Sequence, residues 1–315
     1  MSTAVQQAPT PFAPTESQLA VAYSVCRGIA RRAAKNFYYA FLVLPKPKRQ
    51  ALCAVYAFMR RCDDIADDEN LPALERQQKL ASWLDAFHQA QSGRPTDEPV
   101  LLALTDAQRR YNIPVELLDQ LAYGTAMDVD AEAEDRLLCE SSHPIVTVYY
   151  RTFDELRVYC YRVASVVGLV CIRVFGYRDP AAEGLAERCG LAFQLTNIIR
   201  DVKEDAAAGR IYLPEEDVAK FGILPSDLLS GSDPARVRPL LAMEAGRARE
   251  YYRAGEELIP LVNEDSQPAL WVLVTIYRRL LEKIALREYD VFSGKVSLTV
   301  REKLTILAKG FLKRL

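Results

Sequence analysis

Histidine is nearly missing from this chain: among 315 residues there are two, His88 and His143, too few for a His-rich zinc centre. The seven cysteines (Cys26, Cys53, Cys62, Cys139, Cys160, Cys171, Cys189) are scattered without a C-x-x-C pair, several of them inside apolar helical text. That spacing excludes a metal knuckle and a disulfide framework, and reads as buried thiols in a reducing compartment. Charge of one sign is also lacking. Forty Lys and Arg oppose 42 Asp and Glu, which argues against a dedicated nucleic-acid binder. Long apolar runs are absent too: "VASVVGLVCI", residues 163–172, lies between Arg162 and Arg173 and is about half a bilayer span. The opening "MSTAVQQAPTPFAPTESQ" has neither the charged start nor the apolar centre of a secretory signal. The expectation is a soluble, cytoplasmic protein with a disordered lead-in over residues 1–16.

Strand-like alternation is nearly absent as well, while helical periodicity is everywhere. Proline and glycine interrupt it at "LPKPK" (44–48), "SGRPTDEP" (92–99), "GYRDP" (176–180), "AAAGRIYLP" (206–214), "FGILPSDLLSGSDP" (221–234) and "FSGKVS" (292–297). Between these breaks lie segments long enough for about ten to twelve helices, with no internal repeat. An all-α bundle in one domain, 17–315, is expected. "LLCESSHPIVTVYY" (137–150) resists this pattern and reads equally as a short strand, a lid or an ordered loop.

Two acidic stretches stand out. In "YAFMRRCDDIADDE" (56–69), Tyr56, Arg60, Asp63 and Asp67 follow steps of four, three and four, so they share one helix face. Asp63 and Asp67 repel at that spacing unless a cation sits between them. One such pair alone is better explained by a solvated helix end. The second stretch, "GLAFQLTNIIRDVKED" (190–205), places Gln194, Asn197, Asp201 and Asp205 on one stripe of an otherwise apolar helix. Buried amides there need partners, which a polar cavity wall supplies. Oxygen donors without His or Cys select a hard cation, Mg²⁺ above all, usually shared with substrate phosphates. Two facing acid pairs fit two or three ions clamping a diphosphate. Arg60, Arg200, Lys203 and Arg210 stand beside them to meet the remaining phosphate charge.

At these residues the chain resembles the squalene/phytoene synthase family. The resemblance rests on "NFYYAFLVLPKPKRQALCAVYAFMRRCDDIADD", "YRTFDELRVYCYRVASVVGL", "FQLTNIIRDVKEDAAAGRIYLP" and "REYDVFSG", and covers most of the chain after about residue 20. It implies an all-α isoprenoid-synthase fold around a deep apolar channel, in which two allylic prenyl diphosphates join through a cyclopropylcarbinyl diphosphate. It implies Asp63, Asp67, Asp201 and Asp205 as Mg²⁺ ligands, with Gln194 and Asn197 as wall contacts. Arg60, Arg200 and Arg210 are implied to hold diphosphate, with Tyr212 of G-R-x-Y-L-P and Lys295 of "YDVFSGK" among the substrate-binding residues. Phe37, Tyr56 and Tyr159 are implied at the channel mouth, opposite Tyr277. Tyr56, Arg60, Tyr159, Arg200 and Tyr277 make up the implied catalytic set.

Departures from the family pattern matter equally. Where relatives carry basic or hydroxyl residues before "F-Y", this chain has Ala33, Ala34, Lys35 and Asn36, leaving Lys35 alone as a phosphate ligand. The stretch between Asp128 and Tyr150 is about a dozen residues longer than the family pattern leads us to expect. The large membrane anchor of eukaryotic squalene synthases is missing, although the basic, amphipathic tail "REKLTILAKGFLKRL" suits either terminal packing or peripheral membrane contact for product release. Phe41, one turn beyond Phe37, is expected to form the channel floor and favour farnesyl over geranylgeranyl diphosphate. "NFYYAF" and "YCYRVASVVGL" look most like the bacterial hopanoid-pathway presqualene diphosphate synthases. Phytoene synthesis from geranylgeranyl diphosphate is the alternative within the family, and a non-enzymatic helical scaffold the alternative outside it. NADPH enters only if the reaction continues to squalene, and the residues do not distinguish a monomer from a homodimer.

Overall fold

The computed structural model describes residues 13–34, 36–68, 70–138, 147–148, 150–231 and 234–313. Lys35, on which one phosphate contact was expected, lies outside the described residues, as does the 1–12 part of the lead-in. Fourteen α-helices are present among them: α1 Glu16–Ala33, α2 Phe37–Val43, α3 Lys46–Ala66, α4 Ala73–Gln91, α5 Pro99–Tyr111, α6 Val115–Leu138, α7 Phe153–Cys160, α8 Val166–Phe175, α9 Ala181–Ala207, α10 Glu215–Lys220, α11 Pro225–Ser230, α12 Pro234–Leu258, α13 Gln267–Leu286 and α14 Val300–Leu312. The count exceeds the expected ten to twelve because α2, α10 and α11 have only six or seven residues, too few to display a period.

The ends follow local chemistry. Thr15 with Gln18 and Thr299 with Glu302 form capping boxes that start α1 and α14. Pro47 and Pro99 sit in the first turns of α3 and α5, where no donor is lost. Asn112 ends α5 in the left-handed conformation at φ 48°.

α9 runs through the middle, packed against α12, α8 and α13. It also passes close to a π-helical turn, Tyr161–Ser165, that joins α7 to α8. A Cβ on Gly190 of α9 would lie 2.6 Å from the Ala164 carbonyl oxygen, so only glycine permits this spacing. Through that turn, Phe153–Phe175 is one continuous helix, longer than the ten-residue apolar run suggested. By length and composition it could cross a membrane, yet more than half of its most apolar window is buried, and α8 packs on α6 and α9.

The uncertain segment 137–150 resolves in part. Thr147–Val148 (β1) pair in parallel with Arg210–Ile211 (β2), in the register Thr147 to Arg210 and Val148 to Ile211. Residues 139–146 and 149 lie outside the described residues. A buried polar network fixes the neighbouring elements. Arg247 of α12 donates to Asp217 of α10 at 2.9 Å and to both oxygens of Glu244 at 3.0 Å, and its guanidinium lies 4.0 Å above the Phe153 ring. The six described cysteines are buried and unbridged.

Candidate active site

A cavity of about 140 Å³ opens between α2, α3, the π turn, α8, α9 and α13. Its walls are mostly apolar: Phe37 and Phe41 from α2, Leu52, Val55 and Met59 from α3, Val163 and Ala164 from the π turn, and Phe193, Leu270 and Leu273 opposite. Tyr56, Gln194, Asn197 and Tyr277 make its polar lining. Aromatic contacts hold this wall. Tyr277 stacks on Phe193 at 4.4 Å between centroids and meets Phe37 edge-on at 5.9 Å, and Phe37 lies 6.3 Å from Phe41.

α3 carries the first acid pair. Asp63 is in the last turn and Asp67 caps the helix, its N–H donating to the Asp63 carbonyl at 2.8 Å. Burial, then repulsion by Asp67, pushes the Asp63 carboxyl up to about 6, although Thr125 donates to it at 3.3 Å. Arg60 is turned to Asp64, at 2.6 Å, a partner the sequence pattern did not single out.

The second cluster is electrostatically different. Asp201 of α9 is half-buried, which alone would raise its pKa, but the Arg200 guanidinium and Lys295 outweigh burial and hold it below the usual carboxylate range. Arg200 Nε donates to Asp201 Oδ1 at 2.8 Å and Lys295 Nζ reaches the same oxygen at 2.7 Å. Asp205, one turn further on, is close enough for its charge to act on Arg200. Lys203 points away from the cavity, donating to the Phe292 carbonyl at 2.7 Å, and so anchors the loop that carries Lys295.

The two clusters meet at the cavity mouth. Tyr56 feels the charges of Arg60 and Asp63, Tyr277 those of Arg200 and Asp201, and the two phenols feel each other. Burial pushes Tyr56 up to about 12 and raises Tyr277 as well, so both stay protonated donors near neutrality. Asn197 Nδ2 donates to Gln194 Oε1 at 3.4 Å, leaving the buried Asn197 Oδ1 without a partner.

Tyr159 was expected at the channel mouth and requires a correction; Tyr212, expected to bind substrate, stands beside it. Neither is among the residues lining this cavity. Tyr159 stacks on Tyr212 at 5.0 Å and meets Tyr150 at a tilt at 5.5 Å, a three-ring pile that flanks β2 and Arg210. The π turn begins two residues after Tyr159, so Tyr159 leaves the phase that Val163 and Val167 share. Tyr150, missed in the sequence, sits in the unusual β-branched and aromatic stretch that was its only signal.

No group of three or more His, Cys, Asp or Glu side chains converges to metal-holding distance among the described residues. The donor set still fits Mg²⁺, which is held by one or two carboxylates and completes its shell with water and phosphate oxygens. A half-buried Asp63 carboxyl repelled by Asp67, and an orphaned Asn197 amide oxygen in the cavity lining, are both groups that a hard cation and its waters would satisfy.

An all-α bundle with acid pairs on two helices flanking one apolar cavity defines an isoprenoid synthase fold. The family model for squalene/phytoene synthase matches residues 30–302, and the chain belongs to that family. A phytoene synthase from Arthrospira platensis is 33% identical over 318 residues, covering 96% of each chain. One from Mycobacterium tuberculosis is 36% identical over 296 residues, covering 93% of this chain and 91% of its own. Among solved structures, a dehydrosqualene synthase in complex with ligand superposes with a TM-score of 0.79 at 30% identity, over 95% of this chain and 99% of its own. A squalene synthase from Alicyclobacillus acidocaldarius gives 0.73 at 27% identity, over 88% of this chain and 97% of its own. The chain is a prenyltransferase-type, head-to-head synthase acting on prenyl diphosphates.

Proposed function

We propose that the protein condenses two farnesyl diphosphates, with Mg²⁺, to presqualene diphosphate. The observation that carries this reading is the aromatic wall of α2. Phe41 is 4% exposed, lies against Phe37, and lines the cavity, so a bulky ring occupies space that a longer prenyl chain would need. Asp63, Asp67, Asp201 and Asp205 would hold two or three Mg²⁺ ions, which supply charge neutralisation to the departing diphosphate. Arg60, Arg200, Arg210, Lys35 and Lys295 are the cations available to the phosphate oxygens, and Lys203 supports them by holding the loop that carries Lys295. For Arg200 and Lys295 this means exchanging Asp201 for phosphate. Tyr56 and Tyr277, protonated at neutral pH, can donate to an oxygen of the leaving group. The faces of Phe37, Phe193, Tyr56 and Tyr277 then border the allylic cation, each worth up to about 2 kcal/mol where water is excluded. Tyr159 and Tyr212 would act from their stack, holding β2 and Arg210 in place. NADPH belongs to this reading only if the reaction continues to squalene. A cytoplasmic location with peripheral membrane contact belongs to it as well.

The second reading, phytoene synthesis from geranylgeranyl diphosphate, is favoured by the names of the curated relatives at 33–36% identity. Product mass from each substrate with Mg²⁺, with and without NADPH, separates the two. Farnesyl diphosphate should give a thirty-carbon diphosphate, with geranylgeranyl diphosphate refused. In Phe41→Ala the longer substrate should be accepted and forty-carbon product appear, with roughly 3–5 kcal/mol lost in stability. Wild-type protein that refuses farnesyl diphosphate and makes forty-carbon product would establish the second reading.

A further inference from the structure

The cavity has a mouth and a closed end. Along α9, Asn197 and Gln194 stand at the polar mouth, followed inward by Cys189 and Ala186, so the space runs roughly 16 Å beside this helix. α13 agrees, with Tyr277 at the mouth and Leu270 deepest. The deep end is apolar and is walled by Phe175, Leu258 and Leu270. Phe175 and Leu258 are the last residues of α8 and α12, and Leu270 lies in the first turn of α13. The end wall therefore hangs on two chain reversals, 175–177 and 259–266, which touch: the Asn263 N–H donates to the Gly176 carbonyl at 2.8 Å, and Tyr177 bridges Val262.

Lys48 of α3 joins these reversals. Its ammonium has three donors and all are used: on the Phe175 carbonyl at 2.7 Å, on Asp265 Oδ1 at 2.6 Å and on Ser266 Oγ at 3.0 Å. The buried Ser266 hydroxyl lies 3.2 Å from the same Phe175 carbonyl. Because Phe175 ends α8, its carbonyl has no acceptor role within the helix, and a cation there also meets the negative helix end. The Lys48 side chain is only 14% exposed, a rare setting for a lysine. It does not line the cavity, yet Leu52 and Tyr56, one and two turns further along the same face of α3, both do.

We propose that Lys48 is a positioning residue for substrate length: through the Phe175 carbonyl and Ser266 it holds the closed end of the cavity at a fixed depth. This role rests on the prenyl condensation proposed above. An apolar pocket rejects an added methylene by only about 10–200-fold, and only while its wall does not yield. A wall made of helix ends between two reversals yields unless something pins it, and the three bonds of one ammonium do so from a third helix. Phe41 limits the space with its own ring, from α2. Lys48 contributes no wall atom, so a change in length choice on its removal is transmitted through the backbone of the reversals.

The test is a competition between farnesyl and geranylgeranyl diphosphate, with Mg²⁺ and the full chain, read as the ratio of thirty-carbon to forty-carbon product by mass. Lys48→Met should shift that ratio toward the longer product by about tenfold. Ser266→Ala, which removes one partner of the ammonium, should shift it the same way by a smaller factor, and it decides the outcome if Lys48→Met is recovered unfolded. Tyr23→Phe is the stability control: it loses the 2.6 Å bond from α1 to Asp106, and neither residue lines the cavity. It should lower the melting temperature and leave the ratio unchanged. An unshifted ratio in the folded variants, or an equal shift in Tyr23→Phe, would overturn the proposal. Wild-type protein that makes only forty-carbon product would overturn the farnesyl reading alone. The same competition, with both substrates one isoprene unit longer, would then read the role of Lys48.

Discussion

Asp63 and Asp201 occupy matching places on two helices, yet they sit in opposite fields. Asp63 is pushed up by burial and by Asp67, whereas Asp201 is held down by Arg200 and Lys295. Each is therefore expected to contribute separately, and Asp63→Asn or Asp201→Asn should lower turnover by on the order of 10²–10³ with the fold retained. Normal turnover by either variant at limiting Mg²⁺ would remove that residue from the metal site. A second carboxylate matters for stability. Glu244 is buried, and although Arg247 pulls it down, burial together with Asp217 moves it from its ordinary 4.5 up to about 7. Between those values the folded chain keeps a proton that the unfolded chain has released, so stability falls as pH rises through that window. Denaturation midpoints at about pH 5 and pH 8 should show this loss, on the order of 1–3 kcal/mol, and Glu244→Gln should flatten it. An unaltered slope in the variant would show that Glu244 does not carry it.

Among the elements, α3 and α9 were the most legible before the structure, because a polar stripe in apolar helical text breaks a period that is otherwise strong. What that pattern could not reveal was where each cation turns. Lys203 goes to the Phe292 carbonyl, a neighbour in space, whereas Arg60 goes to Asp64, its i+4 neighbour on the same helix, which competed there with Asp63. The Arg247, Glu244 and Asp217 network, which joins α10 to α12, was invisible for the same reason. The close pass of α9 over the π turn gives a sharp test at this scale. A methyl on Gly190 would meet backbone, which cannot rotate away. Gly190→Ala should cost about 1–3 kcal/mol of stability and lower turnover by displacing the wall that holds Val163 and Ala164. A variant with wild-type stability and rate would mean that the helices part without consequence.

At the scale of the whole molecule, the all-α class and a cavity wall between two acid-bearing helices were readable because helical period and acid spacing persist over long stretches. The three-tyrosine stack was not, since it depends on a two-residue strand pairing between segments some sixty residues apart. The described carboxylates gather in pairs rather than in a three-ligand cage, so the substrate's own oxygens must complete any metal shell. A chelator should therefore abolish activity while leaving the melting temperature within a few degrees, and Mg²⁺ or Mn²⁺ should restore turnover. Recovery only with Zn²⁺ would contradict an oxygen-ligand site.

The π turn at Tyr161–Ser165 also bears on how this chain tolerates change in length. A π turn holds one residue more than the α-helical winding needs, so the helix before it and the helix after it are about 100° out of step. Deleting a single residue there would let the turn close to ordinary α-helical winding with the helices on either side in place, so Tyr159 would stay in the tyrosine pile and Val167 and Cys171 at the cavity. The loss of one codon at this place is thus absorbed by the turn, while the same loss in the middle of α3 or α9 would rotate one half of the helix by about 100° against the other.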